Sequence, residues 1–94
     1  MLMRFYFDER KSQQLKVNPK RGINFEEAQE IFARTNYLDQ RSDFPEQLRA
    51  IGWVGAKLST IIFEVREDNE REHFHLVTLW KATRQKRQLY EDHS

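Results

Sequence analysis

The run LSTIIFEV, from Leu58 to Val65, constrains this chain more than any other stretch. Within Lys57 to Arg66 the apolar residues fall on both sides of an extended backbone, as in a central strand. A charged turn containing Asp68-Asn69 follows, and then a second extended run from His73 to Trp80. Strands joined by so short a link pair antiparallel, so the chain is built around a hairpin whose first strand lies inside a sheet.

The same period of two extends upstream. From Glu46, residues Gln47, Arg49, Ile51 and Trp53 share one side of a strand, and Leu48, Ala50, Gly52 and Val54 share the other. Gly55 then turns the chain into the apolar strand. The first half reads differently. Met3 to Phe7 is a short aromatic strand, and Asp8 caps a helix through Val17 that Asn18-Pro19 ends, because the residue before proline avoids helical geometry. Lys20-Arg21-Gly22 is a basic turn. Asn24 and Glu27 form a capping-box pattern at the head of a second helix, with Phe25, Ala28, Ile31 and Phe32 on one face. Thr35 to Pro45 is polar and is expected to be loop, with a short strand around Tyr37-Leu38. The expected fold is α+β: one domain over 1–94, with an antiparallel sheet of about four strands. Two N-terminal helices pack on one sheet face, and a short helix closes the chain.

Ninety-four residues suit a single core of two layers, and 38% apolar content is enough to fill it. Sixteen basic and 15 acidic side chains leave a formal charge of +1, so any polyanion footprint must be local. The absence of cysteine removes disulfides, thiolate metal sites and a cysteine nucleophile. The start, MLMRFYFDER, is too short in apolar residues for a signal peptide, and no stretch reaches membrane-spanning length. A cytoplasmic protein with no membrane contact is the expectation.

One local footprint stands out. The C-terminal helix opens on Lys81, Arg84, Lys86 and Arg87, with no acid before Glu91. A helix N-terminus carries partial positive charge and favours acidic neighbours. Cations gathered there are either an ordinary solvated face or, with the free amides, a site for phosphate.

Three segments, taken in order, resemble the BrnT toxin family of bacterial type II toxin–antitoxin systems. They are FDERK followed by KRGINFEEA, the strand EQLRAIG, and LVTLWKATRQKRQLYE, the last against a pattern close to I-I-S-A-R-x-A-T-x-x-E-R-x-x-Y. The resemblance implies a RelE-like fold and a ribonuclease that attacks messenger RNA without metal or other cofactor. It also implies inhibition by a BrnA-like antitoxin, a ribbon-helix-helix protein that carries operator DNA binding. The chain departs from the pattern at several places, among them the serine of S-A-R, which falls on Thr78. Lys20-Arg21-Gly22 replaces Lys-His-Gly, Gln47 stands where an arginine is usual, and Trp80 stands at the arginine of S-A-R. Arg49 and Lys81 lie next to or near the last two vacancies.

Metal-free RNA cleavage needs a base for the 2′-hydroxyl and cations facing the charge that develops on phosphorus. Glu46 is the candidate base, and Arg49 and Lys81 are the candidate charge stabilisers. Lys20, Arg21, Arg84, Lys86 and Arg87 are candidate RNA contacts, and Trp80 is a candidate platform for an unpaired base. Each has a plainer role open to it: Arg49 as an edge-protecting or solvated residue, Trp80 as closure of the core, Glu46 as the start of a strand. His73 and His75 share one side of their strand; no further ligand spacing points to zinc, and His75 suits proton transfer. Two functions follow: a ribonuclease toxin, or a non-catalytic module of the same fold that binds nucleic acid and an antitoxin.

Overall fold

The computed structural model describes residues 4–69 and 71–93. In chain order these form β1 (Arg4–Tyr6), α1 (Glu9–Val17), α2 (Phe25–Ala28), α3 (Glu30–Ala33), β2 (Asn36–Asp43), β3 (Glu46–Val54), β4 (Lys57–Asp68), β5 (Arg71–Lys81) and α4 (Arg84–Asp92). Met3, expected to open the first strand, lies outside the described residues.

Both expected helix starts form. The Asp8 carboxylate accepts from the Lys11 amide at 3.1 Å. Asn24 and Glu27 make the reciprocal capping box, with each side chain accepting from the other's backbone amide. The second helix does not run on unbroken. At Gln29 the amide falls back to the Glu26 and Glu27 carbonyls, a tighter turn that splits the expected helix into α2 and α3. Buried Ser12 of α1 ties that helix to α2 by accepting from the Phe25 amide at 2.9 Å.

The sheet has the order β1-β5-β4-β3-β2. It is mixed and five-stranded, where an all-antiparallel sheet of about four was expected: β1 pairs parallel to β5, with Phe5 beside Phe74. The expected polar loop is mostly strand. β2 lies antiparallel to β3 from Asn36 opposite Gly52 to Asp43 opposite Glu46. Few apolar residues mark β2 because it is an edge strand, solvated on much of its surface, with Leu38 exposed.

The main core lies between α1–α3 and one sheet face. Leu15, Ile23, Phe25, Ala28 and Ile31 pack on Ala50, Val54, Ile61, Phe63, Leu76 and Leu79. Phe5, Phe32, Phe63 and Phe74 form an aromatic cluster with ring centroids 4.8–5.7 Å apart. Gly52 is where α3 comes closest to β3: a Cβ there would stand 3.1 Å from Ile31 Cγ2. Among the described residues, no helix is long and apolar enough to cross a membrane.

Candidate nucleic-acid interface

Alternation along β3 sends Gln47, Arg49, Ile51 and Trp53 to the face turned away from α1–α3, as the sequence pattern predicts. The strand registers extend that second face across the sheet. Asp39 and Tyr37 of β2 lie opposite Arg49 and Ile51. Thr60 and Ile62 of β4 lie opposite Trp80 and Thr78 of β5. Ile51, Leu58, Thr60 and Ile62 are buried here, outside the main core cluster, so the second face has a small apolar floor of its own.

The chain crosses to this face after β5. The Ala82 amide donates to the Leu58 carbonyl at 3.0 Å, and Thr83 caps α4 by accepting from the Lys86 amide. α4 then covers the end of the face nearest Trp53 and Tyr37: Tyr90 meets Trp53 edge-on at 6.5 Å, and His93 lies 4.8 Å from Tyr37. Beyond α4 the face opens. Arg41, exposed on β2, reaches over Trp80 of β5 with its guanidinium 5.8 Å from the ring centroid.

The expected site residues divide between the two sides of the sheet. Arg49, Trp80 and the α4 cations lie on the open face. Arg49 is not free: Nε donates to one Asp39 oxygen at 2.7 Å and Nη2 to the other, a fork that neutralises its charge. Arg87 leans over Trp53 at 5.4 Å and approaches Glu91 at 3.9 Å, while Arg84 is exposed and Lys86 half-buried. Lys20 and Arg21 belong to the loop on the helix side, where Arg21 Nε donates to the Leu79 carbonyl at 3.1 Å and Lys20 is exposed. Lys81 alternates with core residue Leu79 and so sits on the helix side too.

Glu46, Arg49 and Lys81 therefore do not assemble into one centre. Ser59 pairs with both Lys81 and Gly52, so Lys81 is level with Gly52, the sixth residue beyond Glu46 along β3. At about 3.4 Å per residue that separates Glu46 from Lys81 by roughly 20 Å along the sheet. Glu46 is exposed beside the hairpin turn and alternates to the opposite side from Arg49. The reason is topological: sequence spacing says which residues share a strand face, but not where each strand ends up in the sheet.

A polar row that composition does not announce crosses the open face at its far end. Tyr6, His75 and Glu64 stand level on β1, β5 and β4. Gln47 of β3 joins them by donating from Nε2 to Glu64 Oε2 at 2.9 Å, and Arg41 Nη1 donates to Gln47 Oε1 at 3.3 Å. Arg66 holds the other Glu64 oxygen at 2.6 and 3.0 Å. The Gln47 and Arg66 hydrogen bonds hold the Glu64 carboxyl below the usual carboxylate range. Burial, with Arg66 nearby, lowers His75 below an ordinary histidine. The alternation His73-x-His75 was the signal in the sequence; the residues across from it were set by strand order.

No family model matches this chain, and no curated protein matches it at a significant level. Among the described residues, no cluster of three or more His, Asp or Glu side chains is placed to hold a metal ion.

Proposed function

We propose that this chain is the toxin of a BrnT-like toxin–antitoxin pair, binding single-stranded RNA across the open sheet face and cleaving it. The observation that carries the reading is the asymmetry of the sheet. One face is buried under α1–α3, while the other, only partly covered by α4, presents Trp80, Arg41 and Arg49 beside two histidines. A part-exposed ring such as Trp80 set among arginines suits a single-strand binder, since bases stack on rings and phosphates find guanidiniums. The order of the three resembling segments supports the family. An antitoxin of the BrnA-like type, bringing operator DNA binding with it, would neutralise the toxin by covering this face with an acidic segment. The setting is the cytoplasm.

A second reading is favoured by one specific contact. Asp39 neutralises Arg49, and Glu46 and Lys81 lie at opposite ends of the sheet, as suits a module that binds RNA and an antitoxin without cutting. Incubating the purified protein with single-stranded RNA in chelator, across a salt series, separates the two. Cleavage supports the toxin. Salt-dependent binding with intact RNA supports the module, and the absence of any affinity removes both. Growth arrest on induction of the protein alone is the companion test.

A further inference from the structure

The far end of the open face holds one imidazole between two arginines and a second beside it. His73 of β5 has Arg4 level with it on β1 and Arg66 level with it on β4. One step along the same side of β5, His75 stands between Tyr6 and Glu64. The Tyr6 ring lies edge-on to His73 at 4.4 Å, and the Arg4 guanidinium sits 5.7 Å from the Tyr6 centroid. Asp68 and Arg71 pair in the next row outward, at the hairpin tip. His73 Nδ1 is buried with no hydrogen-bond partner, leaving Nε2 as the working nitrogen of that ring.

We infer that His75 and His73 are the base and acid of the RNA-cleaving centre, with Arg4 and Arg66 holding the scissile phosphate between them. This assignment rests on the ribonuclease reading above and replaces Glu46 as the proton acceptor. Side chains two residues apart on a strand project side by side roughly 7 Å apart, so a phosphodiester seated there turns its 2′-oxygen to one ring and its 5′-oxygen to the other. A ring nitrogen of His75 takes the 2′-hydroxyl proton, and the 2′-oxygen forms a bond to phosphorus. The bond from phosphorus to the 5′-oxygen breaks, and that oxygen receives a proton from His73. The ends are a 2′,3′-cyclic phosphate and a 5′-hydroxyl, with no change of oxidation state, and the rings exchange protons with water to reset.

The neighbours fit these roles. Glu64 stays ionised beside His75 and stabilises the imidazolium formed when it takes the proton; Gln47 fixes that carboxylate, which makes Gln47 a positioning residue. Burial keeps His75 neutral, and so ready to accept, near neutral pH. Arg66, half exposed, can pass from Glu64 to a phosphate oxygen, and Arg4 reaches the same space from β1.

The test uses the full chain, single-stranded RNA and chelator. His75→Gln is expected to lower kcat/KM for cleavage at least about 100-fold while leaving RNA affinity within about twofold. His75→Ala is expected to regain part of its rate when imidazole is added to the buffer. Cleavage by His75→Gln within about tenfold of wild type overturns the assignment while leaving the ribonuclease reading in place. So does the absence of rescue in a His75→Ala protein that still melts cooperatively. Wild-type protein that binds RNA and leaves it intact overturns the ribonuclease reading, and this centre with it.

Discussion

Arg49 and Asp39 lie opposite each other on β3 and β2, and both carboxylate oxygens accept from the one guanidinium. The side chains are 18% and 23% exposed, which places the pair between a solvated ion pair and a buried one. Arg49→Ala is therefore expected to destabilise the fold by about 1–2 kcal/mol, and adding Asp39→Ala to recover part of that, because the stranded carboxylate is then removed too. Denaturant midpoints of the two single variants and the double variant measure the coupling. Asp39→Asn should in turn tighten RNA binding, since it releases the charge of Arg49 toward phosphate.

Trp80 and the cations near it are separable by salt. Trp80→Ala is expected to weaken single-stranded RNA binding by about 1–3 kcal/mol with the salt slope unchanged, and Trp80→Phe to be milder. Arg41→Ala and Arg84→Ala should flatten the slope, each removing about one phosphate contact. Lys20→Ala, on the opposite side of the molecule, should leave both affinity and slope alone. A salt titration of these five variants beside the wild type reads all of this.

Acid should loosen the fold through the polar row. His75 and Glu64 both hold their proton less tightly when folded than in ordinary surroundings. The unfolded chain therefore takes up more protons as pH falls, and stability declines with it. The histidine part is fully present above its unfolded value near about 6.5 and is lost below that; the carboxylate part follows at lower pH. Denaturation midpoints between pH 7 and 5 should fall for the wild type and fall less for His75→Gln. A steeper decline in the variant would contradict the assigned burial of His75.

Gly52 tests the helix–sheet contact. Its missing Cβ would meet Ile31 Cγ2 at 3.1 Å and Asn36 Cβ at 3.3 Å, both on packed elements. Gly52→Ala should cost about 1–3 kcal/mol by forcing α3 off the sheet. Gly55→Ala has open space around it but a φ of +58°, so its cost of about 1–2 kcal/mol comes from the backbone alone.

What could be read before folding was whatever depends on near neighbours. Asp8 and Asn24 were legible as caps because a cap is a three-residue device. The two faces of β3 were legible because alternation is intrinsic to a strand. β2 was not, since an edge strand such as NYLDQRSD has little apolar patterning to show. The pairing of β1 with β5 was not, because Arg4–Tyr6 is too short to specify a partner and a parallel neighbour needs a crossover. Those two gaps left the far end of the open face unread. Glu46 and Lys81 looked compatible in the linear order, whereas Tyr6, His75, Glu64 and Gln47 meet only once four strands are in register.

The parallel join between β1 and β5 also sets a schedule. Arg4 and Tyr6 are made before β2, β3 and β4, yet the strand they bond to follows all three. Until then those two side chains have no neighbours from β5 beside them. The corner where Arg4 and Tyr6 meet His73 and His75 therefore closes only after β5 has been made.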